Sequence, residues 1–460
     1  MPESPRRFVI SCGVMAVAAA VILPIHAADA ATPSVFWVSG TGNSAHANVS
    51  CPTARYSTVQ SAVTAAETYE SSHPGVVPSV EVCPGTYSEQ VTIRKSLALS
   101  RAPVPAAQGA VTIQLPAAVG SNQSEGLSST SCQARDAANG IAVPQSVVEI
   151  CAAGTGGTNT TGVKVAVSDL TVEGNWPHSV CYDSLYGILV GGGASLTLTG
   201  STVEKAGAYP LNGCQGGVGI QVGRNVIGQI GHVNLSRDTI ETYQKNGITV
   251  DGPGSTADIS HAVVAGAGAT DMTAQNGIQL SRGAAGQVTD SSVSGNNYTG
   301  PNNASSAGIL VFGGCGSPLV QNAHIVRNRL TGNDVGVYLS DGDPTCTKSP
   351  STRTGNMACF NRIENSHGYP GGHPSADANR TGWSVSPAVG FQAGVSDLGN
   401  RDEICENAIS GAGYASLGVT HSLPHPPVPA FVRPVDIVTG PAIQPETFGN
   451  TFDGRPYHPA

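Results

Sequence analysis

A chain of 460 residues with 58 glycines, 31 prolines, 4 methionines and only 12% charged side chains is poorly composed for helices and well composed for strands and tight turns. Its formal net charge of −9 comes without any Lys/Arg cluster, which argues against nucleic acid, because phosphate binding needs a concentrated basic face. Beyond the first 30 residues no segment stays apolar for about 20 positions, so no membrane span is expected.

In chain order, Arg6 and Arg7, the apolar run Phe8 to Leu23 and the small residues Ala28-Asp-Ala30 predict a signal peptide over 1–30, and hence a secreted, extracellular protein exported by the ordinary or the twin-arginine route. Cys12 falls inside that segment, leaving ten cysteines. An even set after an export signal reads as disulfides, and no Cys/His spacing suggests zinc. The shortest closures pair Cys51 with Cys83, Cys132 with Cys151, Cys181 with Cys214 and Cys346 with Cys359, leaving Cys315 for Cys405, although spacing alone does not determine connectivity.

Residues 31–110 read as an N-terminal cap with the first strands. Val59, Ala62, Val63 and Ala66 have the spacing of one helix face, with Ser57 as N-cap, and Val80-Glu-Val82 and Val91-Thr-Ile93 flank a Pro-Gly turn. From 111 to 420 a tetrad of Gly, an aliphatic, any residue and another aliphatic recurs at about one solenoid turn. It stands at Gly187-Ile-Leu-Val190, Gly219-Ile-Gln-Val222, Gly247-Ile-Thr-Val250, Gly277-Ile-Gln-Leu280, Gly308-Ile-Leu-Val311 and Gly336-Val-Tyr-Leu339, with looser copies at Gly140 and Gly162. Each is followed by a second alternating strand, as in Leu196-Thr-Leu198 and Val233-Asn-Leu235, with no helical period between. Strands that repeat without helices predict an all-β fold, a parallel β-helix whose turns bury Ile188, Ile220, Ile248, Ile278, Ile309 and Val337 and present Gln221, Thr249 and Gln279 outward. The stretch 341–387 reads as a lateral loop insertion, and the Pro-rich 421–460 as an extended terminal cover.

The opening Thr58-Val-Gln-Ser-Ala-Val63, then Val82-Cys-Pro-Gly-Thr-Tyr-Ser-Glu89, then Gly-Ile-x-Val turns, resembles the right-handed parallel β-helix proteins of the pectin-lyase-like superfamily. The resemblance spans roughly Val35 to Asn407 and implies a single-stranded right-handed solenoid with disulfide-tied lateral loops. It also implies an extracellular polysaccharide as partner, held along the outer face of one sheet. The Gln-Asp-Thr-Leu segment of pectin methylesterases, the Asn-Thr-Asp and Gly-His-Gly segments of polygalacturonases and the Asp-Pro-His segment of mannuronan epimerases are absent. A lyase or glycoside hydrolase therefore competes with a non-catalytic envelope or adhesion module.

Aligning turns on the tetrad Gly brings Arg224, Asp251 and Arg282 to nearly one position on three consecutive turns. The two arginines could clamp a uronate and stabilise the anion a lyase forms, with Asp251 orienting the base or recruiting calcium, the one cofactor to consider. The bland alternative is an exposed Arg–Asp–Arg ladder of little energetic weight. Trp176, Tyr182, Tyr186 and Tyr209, with Tyr243 one turn on, form either a platform for stacking sugar rings or a wall under a Cys181–Cys214 loop. Asp334, Asp341 and Asp343 offer carboxylates for glycoside hydrolysis, although Asp341-Gly-Asp343-Pro is equally a turn sequence.

Overall fold

The computed structural model describes residues 34–105, 109–116, 145–152, 159, 162–174, 176, 185–298, 306–345, 349–364, 393–410, 435–437, 446–452 and 454–456. The tetrads form the strands of one parallel sheet, including Leu185–Gly191, Val218–Val222, Asn246–Asp251, Asn276–Ser281, Ala307–Gly313, Val335–Asp341 and Ala393–Asp397. After each, the chain enters a second sheet (Ala194–Thr199, Gly231–Ser236, Thr256–Ser260 and successors) and then a third (Thr202–Glu204, Thr239–Glu241, Val263–Thr270 and successors), before returning to the tetrad sheet one rung on. Among the described residues the three sheets hold 10, 12 and 12 strands, all paired in parallel except the closing Thr451–Phe452 with Arg455–Pro456. This is a right-handed parallel β-helix.

Ile188, Ile220, Ile248, Ile278, Ile309 and Val337 stack in unbroken register and are fully buried. They meet Val203, Ile240, Val264, Val293 and Ile363 of the third sheet in one aliphatic core. The tetrad glycine is explained by that contact. A Cβ on Gly187, Gly219, Gly247, Gly277, Gly308 or Gly336 would lie 2.5–2.8 Å from the carbonyl oxygen of the glycine one turn on, and on Gly247 also 2.6 Å from Val264. Only a residue without a side chain lets the turns approach this closely.

The corner between the second and third sheets carries a feature not anticipated from sequence. Arg327, Phe360, Glu406 and Gly449 adopt left-handed φ of 51–68°, and each precedes a buried asparagine. The backbone N–H of Asn328 donates to Asn361 Oδ1 (2.9 Å), Asn361 to Asn407 (3.0 Å) and Asn407 to Asn450 (3.0 Å). Each side-chain amide meanwhile caps a carbonyl at the end of a second-sheet strand: Val288, Ile325, Ala358 and Ile404. Polar backbone at a corner is thereby satisfied without water.

Helix α1 (Val59–Ser72) lies over the first turns and buries Val59, Ala62, Val63 and Ala66, the face expected. Its N-cap is Thr58, not Ser57. Thr58 accepts from Ser61 N, while the Glu89 carboxylate reaches back to the N–H groups of Val59 (2.7 Å) and Gln60 (2.8 Å), a negative charge set on the positive end of the helix.

Two further expectations change. Within 341–387, strands Met357–Cys359 and Arg362–Glu364 continue the second and third sheets, and within 421–460 Val435–Ile437 continues the tetrad sheet and Glu446–Phe448 the second. These rungs are only three residues long, too short to stand out from the Gly- and Pro-rich sequence around them. Cys51 pairs with Cys83 as expected, but Cys359 pairs with Cys405, because the two stand directly opposite each other on consecutive turns. Cys315 is therefore not the partner of Cys405. Cys151, Cys214 and Cys315 are also disulfide-bonded, and Cys132, Cys181 and Cys346 lie outside the described residues, as does the expected signal peptide.

Candidate functional site on the tetrad sheet

The outward face of the tetrad sheet changes character along the solenoid. Tyr186, Leu189 and Val218 form an apolar cluster with Cys151, and four turns on Ala307, Val335, Tyr338 and Ala393 form another with Leu310. Between them lies an amide window. Gln221, Thr249 and Gln279 are in register, as are Asn246 and Asn276 beside them. Asn246 Nδ2 donates to Thr249 Oγ1 (2.9 Å) and Gln279 Oε1 (3.0 Å), and Asn276 Nδ2 donates to Asn246 Oδ1 (3.1 Å). Most of this floor is buried, and Gln279, Leu310 and Phe312 keep part of their surface in solvent.

At the edge where the tetrad strands end, Tyr186, Arg224, Asp251 and Arg282 come together. Asp251 is the last residue of its strand, buried but for 3% of its side chain, and Arg282 follows the next strand with φ 51°, a left-handed turn that folds its side chain back. Arg282 Nε donates to Asp251 Oδ1 (2.7 Å) and Nη2 to Oδ2 (2.8 Å). Ser281 Oγ adds a bond to Oδ1 (3.2 Å), and the backbone N–H of Asn225 one to Oδ2 (2.8 Å). Four donors occupy the carboxylate. That set commits the carboxylate to aiming Arg282 and pinning the 3-10 turn Asn225–Ile227 rather than to recruiting calcium or orienting a base.

Arg224 opens that turn, exchanging backbone hydrogen bonds with Gln229. Its guanidinium lies 5.8 Å from the Tyr186 ring centroid and only 5% of the residue is exposed. Burial lowers its pKa to about 10, with the nearby Asp251 charge opposing, so it remains a cation at neutral pH. The Asp251 hydrogen bonds push the Arg282 guanidinium in the other direction, upward. The expected exposed ladder is thus a buried charge cluster with one half-open member, Arg282.

The aromatic platform does not assemble. Trp176 and Tyr243 are inside the aliphatic core, Tyr243 donating to Asn296 Oδ1 (2.6 Å), with burial pushing its phenol up. Tyr186 lies beneath Arg224, and Tyr182 falls outside the described residues. Tyr209 alone of the described four is open, at 60% exposure. The inward placements of Trp176 and Tyr243 have a common cause: a turn residue of a β-helix points inward as readily as outward. Asp334 is likewise structural, accepting from the N–H groups of Tyr298 and Ser306 (both 2.9 Å), and Asp343 binds Thr345 Oγ1. The rim residues Phe312 and Leu310 were missed, although the register of the tetrads places them one rung beyond Ser281 and Gln279.

At the opposite end of the strands, half-buried Lys245 donates to the carbonyl of Ala274 (2.5 Å), and burial lowers its pKa to about 8. Among the described residues the one grouping of three potential metal ligands is Cys359, Glu403 and Cys405, and its cysteines are joined to each other.

No model of a known protein family matches the sequence, and no curated protein matches it. Among solved structures the chain is similar to XylC in complex with xylose, at 10% identity over 89% of this chain and 76% of that one, with a TM-score of 0.44. It is similar to pectate lyase Pel9A at 12% identity over 87% and 89% (TM-score 0.39), and to PfbA, a surface adhesin of Streptococcus pneumoniae, at 11% over 76% and 74% (TM-score 0.38). Likeness at this level does not carry an activity from any of them to this chain.

Proposed function

We propose that this is a secreted protein that engages extracellular polysaccharide along the outer face of the tetrad sheet. The observation that carries the proposal is the half-open rim of Gln279, Arg282, Leu310 and Phe312 beside a floor of mutually bonded amides. Amides and a fixed guanidinium satisfy sugar hydroxyls or a uronate carboxylate, and flanking apolar surface takes ring faces. Arg282 is the primary contact, Arg224 supplies positive potential from beneath, and Tyr209 serves as a peripheral stacking residue. The disulfides fit an oxidising compartment, and residues 1–30 would direct export.

A catalytic version of the same reading has Arg224 and Arg282 stabilise the anion formed in a lyase reaction. The mature protein would be incubated with neutral and acidic glycans, with and without calcium, following binding, unsaturated-uronate absorbance and new reducing ends. Binding lost on Arg282→Ala supports the groove, and unsaturated-uronate absorbance that disappears with Arg282→Ala identifies a lyase. No binding to any glycan refutes both.

A further inference from the structure

The inner position near the end of each tetrad strand holds Val190, Val222, Val250, Leu280, Val311 and Leu339 on successive turns, all fully buried. On the next turn, in register with Leu339, it holds Asp397, and Ile437 follows in register after it. A carboxyl has taken one rung of an aliphatic ladder. Two more carboxyls meet it there: Asp341, at the end of the preceding tetrad strand, and Asp402, which immediately precedes the second-sheet strand Glu403–Cys405 of the same turn. None of the three exposes more than 1% of its surface.

The groups around them are donors without charge. Asp341 accepts from Val320 N (3.1 Å) and Asn356 Nδ2 (3.0 Å). Asp402 accepts from Asn356 N (2.8 Å) and Thr354 Oγ1 (2.6 Å), and Asp397 from Gly399 N (2.8 Å) and through a hydrogen bond shared with Asp402. Of the titratable or charged residues on adjoining elements, Arg353 and Arg401 are exposed, Asp343 is turned to Thr345, Glu403 follows Asp402 beside the Cys359–Cys405 disulfide, and Asp436 stands in register with Ser396. The larger influences on the three carboxyls include no cation. Two of them within hydrogen-bonding reach inside an aliphatic core cannot both ionise without a large penalty, so one must donate a proton to the other.

We propose that Asp341, Asp397 and Asp402 form an acid-operated clasp that holds the C-terminal turns to the body of the solenoid when protonated and loosens them when its protons leave. The direction of the titrations agrees. Burial, then repulsion by Asp402, pushes Asp397 well above the usual carboxylate range; burial raises Asp341 to about 7 and raises Asp402 as well. Values raised on folding mean that the folded chain binds the extra protons. The stabilisation is therefore complete below the ordinary value of 3.8 and is lost as pH rises through about 7.

Amide exchange of the full mature chain at pH 5 and pH 8.5, corrected for intrinsic rates, tests this. Exchange in Val335–Asp341, Met357–Cys359, Ala393–Asp397 and Glu403–Cys405 should accelerate at least about tenfold more than in Asn276–Ser281, since one unit of pKa shift is about tenfold in equilibrium. Asp341→Asn combined with Asp397→Asn keeps donors and acceptors but cannot ionise, and should remove the excess. Should that variant fail to fold, Asp397→Leu, which restores the aliphatic rung, should reduce it. Equal acceleration in both regions of the unmodified chain, or an excess that survives in a folded variant, overturns the proposal.

Discussion

Replacing Asp251 by Ala provides the most direct test of the charge cluster. The carboxylate is almost wholly buried and takes four donors, so its loss leaves Arg282 unpaired and the N–H of Asn225 without its acceptor. Breaking a buried pair by removing one partner costs about 3–5 kcal/mol. The 36% exposure of the Arg282 side chain lets water recover part of that, which brings the expected cost to about 3 kcal/mol. In a double-mutant cycle with Arg282→Ala the coupling should be about 2 kcal/mol and nearly independent of salt, as expected where solvent screening is weak. The molecule contains its own control. Arg327 and Asp290 make the same bidentate contact between consecutive turns (2.8 and 2.7 Å), but with 57% and 32% of their side chains exposed. Chemical denaturation of both cycles in urea, at low salt and at 1 M NaCl, should give a clearly smaller coupling for the exposed pair, vanishing in salt. Equal coupling in the two pairs would mean that burial does not set the strength of these contacts, and the case for a fixed Arg282 would fail.

Gly247→Ala should destabilise by about 1–3 kcal/mol or more, as overpacking does, and lower the thermal midpoint, whereas Ala at the open Gly40 should leave the midpoint nearly unchanged. Peptide mapping without reduction should recover Cys51–Cys83 and Cys359–Cys405 as linked pairs; removing the second, which spans 46 residues, should cost about 4 kcal/mol in the chain-entropy model. Tyr243→Phe should cost about 1 kcal/mol of stability through its lost bond to Asn296 and leave glycan binding unchanged, while Tyr209→Ala should do the reverse in a binding titration with the best glycan of the panel.

The fold could be read in advance because a β-helix writes its period into the chain: a glycine that admits no Cβ, then an aliphatic that must face inward, turn after turn. The same repeat placed Arg224, Asp251 and Arg282 on one edge, and the structure brings them together. Their burial could not be read, since it depends on the 3-10 turn Asn225–Ile227 closing over Asp251 and on the left-handed backbone of Arg282. Side-chain direction failed for Trp176 and Tyr243 for a related reason, because strand alternation says nothing about a residue in a turn. The asparagine column consists of Asn328, Asn361, Asn407 and Asn450, each two residues before an apolar residue of a short third-sheet strand, but its irregular spacing hides it in the sequence.

The asparagine column also makes the two ends of any truncated solenoid unequal. Each corner N–H is answered by the side chain of the turn that follows it, so a cut between Asn361 and Asn407 strands the backbone N–H of Asn361 on the N-terminal fragment and the side-chain amide of Asn407, parted from the Ala358 carbonyl, on the C-terminal one. A buried donor with nothing to bond is costly on either fragment. The chain therefore has a polarity in its tolerance of shortening: turns removed from the C-terminal side leave a backbone N–H that needs a new acceptor, whereas turns removed from the N-terminal side leave a side-chain amide that a substitution can remove.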